Sequence, residues 1–195
     1  AVGRLSLGVG VGAEAADGEF RTSQIDVGEI HVHPTPFQIE EGEDLQRAVD
    51  IAAPDARLEL AGGRFDVETA PFDREFPATR TSTFEPIFGP AMGDPVGLII
   101  DKPLTIAAAD GGPRIVAHSD TEDGIGVRVM ANYVTLEGIE IDGDGIETAV
   151  NVLDGSGVHL DGLTVANAPT GVHSQFNASL AVRSCELTVS GTGIV

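Results

Sequence analysis

The last third of the chain repeats itself at a nearly fixed interval. Val127, Val150, Val172 and Ile194 begin equivalent segments, at spacings of 23, 22 and 22 residues. A second series runs in step with the first, over residues 134–141, 158–165 and 180–187. Apolar and polar residues alternate in these segments, as in a β-strand with one buried face. Short strands at a period of about 22 residues predict a solenoid whose coils stack on one another.

The charge balance is strongly acidic, with 31 Asp and Glu residues against 11 Lys and Arg residues. A formal net charge of −20 argues against nucleic acid or an anionic membrane as a partner, because either would be repelled. The excess favours adaptation to very high salt, where screening weakens self-repulsion, or a carboxylate surface that collects cations. No apolar run is long enough to span a membrane. The single cysteine, Cys185, cannot form an internal disulfide, and the repeat alignment places it in the core.

Residues 1–40 differ from the rest and are expected to form a strand extension. Leu5, Leu7, Val9 and Val11 alternate with small residues, which predicts a strand with one apolar face and one nearly bare face. Such a strand needs a neighbour, which is either its own solenoid or another subunit that accepts it at an open sheet edge. A second strand is predicted over residues 25–32.

The solenoid is expected over residues 41–195, behind a short helix at about 43–53. Leu45, Ala48 and Val49 fall on one helical face and Pro54 ends the pattern. A helix directly before a solenoid is expected to cover the open end of its core.

Residues 69–97 interrupt the strands with a segment rich in Pro and Phe. A loop of this length inside a compact fold is usually functional or part of an interface. Its phenylalanines are expected to pack on the solenoid or to meet a partner. They are Phe72, Phe76, Phe84 and Phe88.

The stretch from Leu45 to Ile106 resembles the opening of right-handed parallel β-helix proteins of the pectate-lyase-like superfamily. It carries a helix reading Leu-Gln-Arg-Ala-Val-Asp and, after a strand and a Gly-rich turn, the segment Lys102-Pro103-Leu104-Thr105-Ile106. With the later repeats, the resemblance covers about residues 43–195. It implies an all-β right-handed parallel β-helix of the kind that carries carbohydrate-binding and sugar-hydrolase repeats. It implies no single function, because related folds serve as lyases, hydrolases and surface proteins.

An acid–base enzyme on this wall would need two carboxylates facing one groove. Glu137 and Asp161 lie one coil apart on the outward face, and Arg183 follows them in the same column. The column is a candidate catalytic set, but a mixed-charge ladder explains it more simply. The prediction leans against an enzyme; if there is one, it is a polysaccharide lyase or glycoside hydrolase.

A second outward column is predicted to contain Arg128, Asn151 and His173, and it is either a glycan-binding strip or wetted surface. Metal binding is the weaker alternative, and no cofactor is expected. His31 and His33 share a face of a strand and offer two ligands. Asp142 and Asp144 flank a glycine at a corner that could hold Ca²⁺.

The repeat stops at Ile194 without a polar cap, which is expected to leave an associating edge or to mark a truncation. The chain begins with Ala1, as after leader removal, and Asn177 starts a glycosylation sequon. We therefore expect an extracellular, cell-surface, filament or virion protein that works through contacts with itself or other subunits. The alternative is a carbohydrate-active β-helix that binds or cleaves acidic polysaccharide. A metal-delivery β-helix ranks third.

Overall fold

The structure is a computed structural model, and it describes residues 3–14, 20–32, 36–71, 93–153, 155–176 and 179–195. The chain divides into two compact units, Ala1–Thr35 and Pro36–Val195. In chain order the elements are β1 (Gly3–Glu14), β2 (Phe20–Val32), β3 (Phe37–Ile39), α1 (Leu45–Ile51), β4 (Ala56–Leu60), β5 (Arg64–Glu68), β6 (Val96–Ile100), β7 (Leu104–Ala108), β8 (Arg114–His118), β9 (Ile125–Val129), β10 (Thr135–Glu137), β11 (Glu140–Asp142), β12 (Thr148–Val152), β13 (Ser156–Asp161), β14 (Thr164–Ala166), β15 (Thr170–Ser174), β16 (Ser179–Arg183), β17 (Glu186–Thr188) and β18 (Thr192–Ile194).

The first unit contains a two-stranded antiparallel ribbon, β1 paired with β2. Its register sets Leu5 opposite Ile30 and Val9 opposite Ile25. Directly opposed positions share a face, so apolar positions of both strands fall together while Gly10 lies on the other face. The predicted strands are therefore present, and each has the other as its neighbour.

The second unit consists of three parallel sheets, and the strands of each coil are divided among them. The first sheet has the order β16-β13-β10-β7-β4-β3, the second β17-β14-β11-β8-β5 and the third β18-β15-β12-β9-β6. Each coil contributes one strand to every sheet, which makes five coils between β4 and β18. This arrangement is a parallel β-helix, as the repeat predicted.

The period of the sequence repeat is the number of residues in one coil. Val127 is in register with Val150, Val150 with Val172, and Val172 with Ile194. The first three of these side chains are buried in the core. Stacked β-branched residues of this kind suit the half-buried, pleated surface of a strand.

The corner between the first and second sheets depends on backbone conformation. Gly138, Gly162 and Ser184 occupy equivalent positions with φ of 68°, 63° and 52°. This left-handed region favours glycine, because a Cβ is crowded there by the backbone. The recurring glycine therefore lets each coil turn, and Ser184 makes the same turn at some steric cost.

Helix α1 covers the first end of the core, as predicted. Its Leu45 and Val49 are buried, and Asp44 caps it by accepting a 2.9 Å hydrogen bond from the Arg47 amide. The helix also closes the edge of the third sheet. The amide of Gln46 accepts from Ile99 N at 2.7 Å and donates to Ile99 O at 3.1 Å, as a neighbouring strand would.

Lys102, the only lysine, belongs to this end of the fold. Its Nζ donates to the carbonyl oxygens of Asp50 at 2.7 Å and Ala52 at 3.2 Å. A cation at the end of a helix satisfies carbonyl groups that have no intrahelical partner and opposes the negative end of the helix dipole. The lysine of the Lys-Pro-Leu-Thr-Ile segment thus ties the capping helix to the solenoid.

Within the part of the chain that the structure describes, no helix is long and apolar enough to cross a membrane.

Candidate functional site

Among the described residues, the most connected polar surface lies on the outer face of the second sheet. We call it the polar strip, and it spans β5, β8 and β11 and the turn after β14. Its members are Arg64, Asp66, Arg114, His118, Glu140, Asp142 and Asn167.

Alternation along the strands places these residues outside. Phe65, Ile115 and Ile141 are in register and almost completely buried, so their sequence neighbours emerge on the opposite face. Arg64 is therefore in register with Arg114, one coil away. Adjacent strands lie about 4.8 Å apart, so the two cations are close neighbours and need carboxylates between them.

Asp66 lies between Arg64 and His118. Its Oδ1 is 2.8 Å from Arg64 Nε, 2.7 Å from Arg64 Nη2 and 2.8 Å from His118 Nε2. Because a carboxylate can only accept, His118 Nε2 is the donor in its contact with Asp66. Hydrogen bonds from Arg64, and then from His118, lower the pKa of Asp66 below its ordinary value.

Arg114 forms the second half of the strip. Its Nη2 donates to Asp142 Oδ2, and its Nε lies 3.0 Å from Glu140 Oε1. Asn167 donates to the other oxygen of Asp142 at 2.8 Å. The Asp142 side chain is only 10% exposed, whereas that of Arg114 is 41% exposed. Asp142 is therefore a fixed anchor that holds Arg114 at the surface.

The strip keeps several hydrogen-bonding atoms available. Among the described residues, no partner is present for Nη1 of Arg64 or Arg114, for Oδ2 of Asp66 or for Oε2 of Glu140. Donors and acceptors therefore alternate on a surface whose side chains already hold one another in place. Such a surface can bind a ligand through many hydrogen bonds with little loss of side-chain entropy.

The predicted catalytic column lies on the first sheet, in the predicted register. Glu137 is opposite Asp161, and Asp161 is opposite Arg183. Glu137, with 51% of its side chain exposed, pairs at 3.1 Å with Arg57, two coils away. Glu137 is thus held in a surface ion pair whose partner comes from the opposite direction to Arg183.

The predicted glycan strip is wrong in one respect. Arg128, Asn151 and His173 stack in register as expected, but they are buried, with exposures of 0%, 0% and 7%. All five residues of β9 and all five of β12 are buried, so both faces of the third sheet are covered there. These three residues are therefore not a surface on which a glycan can lie.

Together with Gln175, they form what we call the buried polar row. Arg128 Nε donates to Asn151 Oδ1 at 3.0 Å, and Asn151 Nδ2 donates to Gln175 Oε1 at 3.3 Å. Burial lowers the pKa of Arg128 to about 10, against the opposing attraction of Asp94, and it also lowers the pKa of His173.

The weaker metal alternatives gain no support. Asp142 accepts a hydrogen bond on each carboxylate oxygen, from Arg114 and from Asn167. The described residues contain no group of three or more His, Cys, Asp or Glu side chains suited to a metal ion. His31 lies in β2, where only the backbone is described, and His33 lies outside the described residues.

The predicted partner-binding residues are placed only in part. Leu5, Leu7, Val9 and Val11 lie in β1, where the backbone is described. Phe72, Phe76, Phe84 and Phe88 and the sequon residue Asn177 lie outside the described residues. Ile194 is 51% exposed. Cys185 is partly buried and packs against the core, which agrees with its predicted position.

Six of the seven residues of the polar strip were not predicted as site residues from the sequence. Arg64, Asp66, Arg114 and His118 precede the clear repeats, so they were not aligned with later coils. Extending the register backward from Ile141 to Ile115 and Phe65 is the signal that would have found them.

Comparison of the chain with protein-family models, curated proteins and solved structures gives no match in any of the three.

Proposed function

We propose that this protein is an exported, non-catalytic structural protein that works through contacts between subunits. The observation that carries this proposal is the β1–β2 ribbon, which belongs to a compact unit of its own. Two-stranded ribbons are marginally stable in water without a third strand or a packed face. The ribbon pairs 12 residues of β1 with 13 of β2, and among the described residues neither strand has another strand beside it.

The register supports a contact through the apolar face of the ribbon. Leu5, Val9, Ile25 and Ile30 occupy opposed positions on that face. Full burial of one such side chain contributes about 1.5–3 kcal/mol, so a face with several of them is a sufficient basis for association. Docking on another subunit would add a packed face to the ribbon.

The experiment compares two variants of the full chain by sedimentation velocity in molar KCl. Val9→Glu puts a charge on the apolar face, and Gln24→Glu puts the same charge on the opposite face. We expect the wild type and Gln24→Glu to form oligomers. Val9→Glu should dissociate already at protein concentrations at least tenfold above those at which the wild-type oligomer dissociates. A monomeric wild type would refute the proposal, and oligomers unaffected by Val9→Glu would place the contact elsewhere.

A second candidate function, non-catalytic glycan binding, is supported by the polar strip. The buried polar row no longer serves this purpose, but the strip offers exposed donors and acceptors across three coils. Hydroxyl-rich ligands bind through such mixed groups, since each hydroxyl both donates and accepts.

A matched pair of double variants tests this second function. Arg64→Gln with Asp66→Asn alters the strip, while Arg57→Gln with Glu59→Gln alters an equivalent ion pair in the same coil on the first sheet. We expect only the first pair to weaken retention of the protein in polysaccharide-containing gels, by about tenfold. Equal retention of both pairs would remove the strip from consideration.

A further inference from the structure

We propose that the polar strip selects uncharged glycans over polyuronates of the same backbone. This inference rests on the glycan-binding function proposed above and reverses the expectation of an acidic ligand. It depends on three features: the local charge of the strip, the partners its arginines already have, and the kinds of atom it leaves free.

The local charge disfavours an anion. Two guanidinium groups, Arg64 and Arg114, face three carboxylates, those of Asp66, Glu140 and Asp142. With histidine counted as neutral, as in the formal net charge of −20 for the chain, these side chains sum to one net negative charge. A uronate carboxylate arriving at this surface is repelled by both the strip and the wider chain.

The arginines are also already engaged. Arg64 directs Nε and Nη2 at Asp66, and Arg114 directs Nη2 at Asp142. A ligand carboxylate bound side-on, through Nε and Nη2 of either guanidinium, would have to displace one of the carboxylates already there. Displacement would leave Asp142 with its negative charge while it is only 10% exposed, which is costly.

The free atoms suit hydroxyl groups. Nη1 of each arginine can donate to a ligand, and Asp66 and Glu140 each have an oxygen that can accept. A hydroxyl placed between a guanidinium and a carboxylate donates to one and accepts from the other, with no charge to desolvate in the ligand. Neighbouring hydroxyls of a sugar ring satisfy this pattern, whereas a carboxylate can only accept.

Paired polymers provide the test. Binding of the full-length protein is measured by affinity electrophoresis with hydroxyethylcellulose against carboxymethylcellulose, and with methyl-esterified against free polygalacturonate. In each polymer pair that the protein binds, we expect the uncharged polymer to bind at least tenfold more tightly than the carboxylated one at low salt. The difference should narrow in 1 M KCl, where the Debye length falls to about 3 Å.

Each outcome decides one of the two claims. Equal or tighter binding of a carboxylated member overturns the selectivity while glycan binding stands. Binding of neither member of either pair ends the glycan-binding function and the selectivity with it. Glu140→Gln, which makes the strip neutral, should improve binding of the carboxylated polymers several-fold, and the control Glu59→Gln should not. No gain with Glu140→Gln would show that the charge of the strip is not the cause.

Discussion

The buried polar row and the polar strip are built by the same rule but have opposite surroundings. In each, polar side chains from adjacent coils stack in register on the outer face of a parallel sheet. On the third sheet the residues of the row are covered, and Arg128 and Asn151 have no exposed surface. On the second sheet the strip stays open, with about half of the side chains of Arg64 and Asp66 exposed.

The difference shows that a side chain on the outer face of a solenoid sheet is not necessarily exposed to solvent. Strand periodicity separates the core face from the outer face, because successive side chains point to opposite sides. It does not determine whether a further layer of chain lies over the outer face. Buried polar groups must then find partners within the row, as Arg128 and Asn151 do, whereas exposed ones remain available to ligands.

The largest contrast is expected when the row loses its central amide. Asn151→Leu removes the oxygen that accepts from Arg128 Nε and the nitrogen that donates to Gln175, in a site from which water is excluded. We expect the free energy of unfolding to fall by about 2–3 kcal/mol, since a hydrogen bond to a charged group is lost without replacement by water. Urea unfolding followed by circular dichroism at constant KCl measures this change.

Arg64→Gln is the matched control, because it removes a guanidinium from the open strip. Its unfolding midpoint should change far less, since water replaces most of the lost contacts. If both variants were destabilised equally, the distinction between a covered row and an open strip would be wrong.

The sequence was a better guide to the coils than to their surroundings. The repeat predicted that Leu136 and Leu160 stack in the core, and the two are in register and buried. It also predicted the column of Arg128, Asn151 and His173, because register depends on local alternation and coil length. It could not predict the burial of that column, which depends on what lies over the outer face of the sheet and not on local alternation. Asp66 and His118 come together for a similar reason: 52 residues separate them, and only the sheet register joins them.

A second contrast lies within the exposed faces, between two arginine–carboxylate pairs. Arg114–Asp142 involves a carboxylate that is 10% exposed, and Arg57–Glu137 one that is 51% exposed. Double-mutant cycles with Gln and Asn replacements should give a coupling energy of about 1–2 kcal/mol for the first pair and less than about 1 kcal/mol for the second.

Salt should separate these two couplings further. Raising KCl from 0.1 to 1 M shortens the Debye length from about 10 Å to about 3 Å, which weakens the exposed pair most. Equal couplings with the same salt dependence would show that Asp142 is as well solvated as Glu137 and would remove its role as an anchor.

The smallest expected contrast is in the pH range over which each surface loses stability. Burial depresses the pKa of His173 in the folded protein below its ordinary value of 6.5. The unfolded chain therefore takes up a proton first, so the contribution of His173 is complete above pH 6.5 and is lost as pH falls through the folded pKa. The pKa of Asp66 is depressed below 3.8, so its contribution is lost only in more acidic solution.

Urea unfolding midpoints measured between pH 7 and pH 3 test this difference. In His173→Gln the midpoint should no longer fall with pH in the upper part of this range, which we call the upper slope. In Asp66→Asn the fall should disappear at the acidic end instead. His159→Gln, which changes a histidine on the first sheet, is the control for the upper slope. If His159→Gln removed that slope and His173→Gln kept it, the acid sensitivity would not come from the covered row.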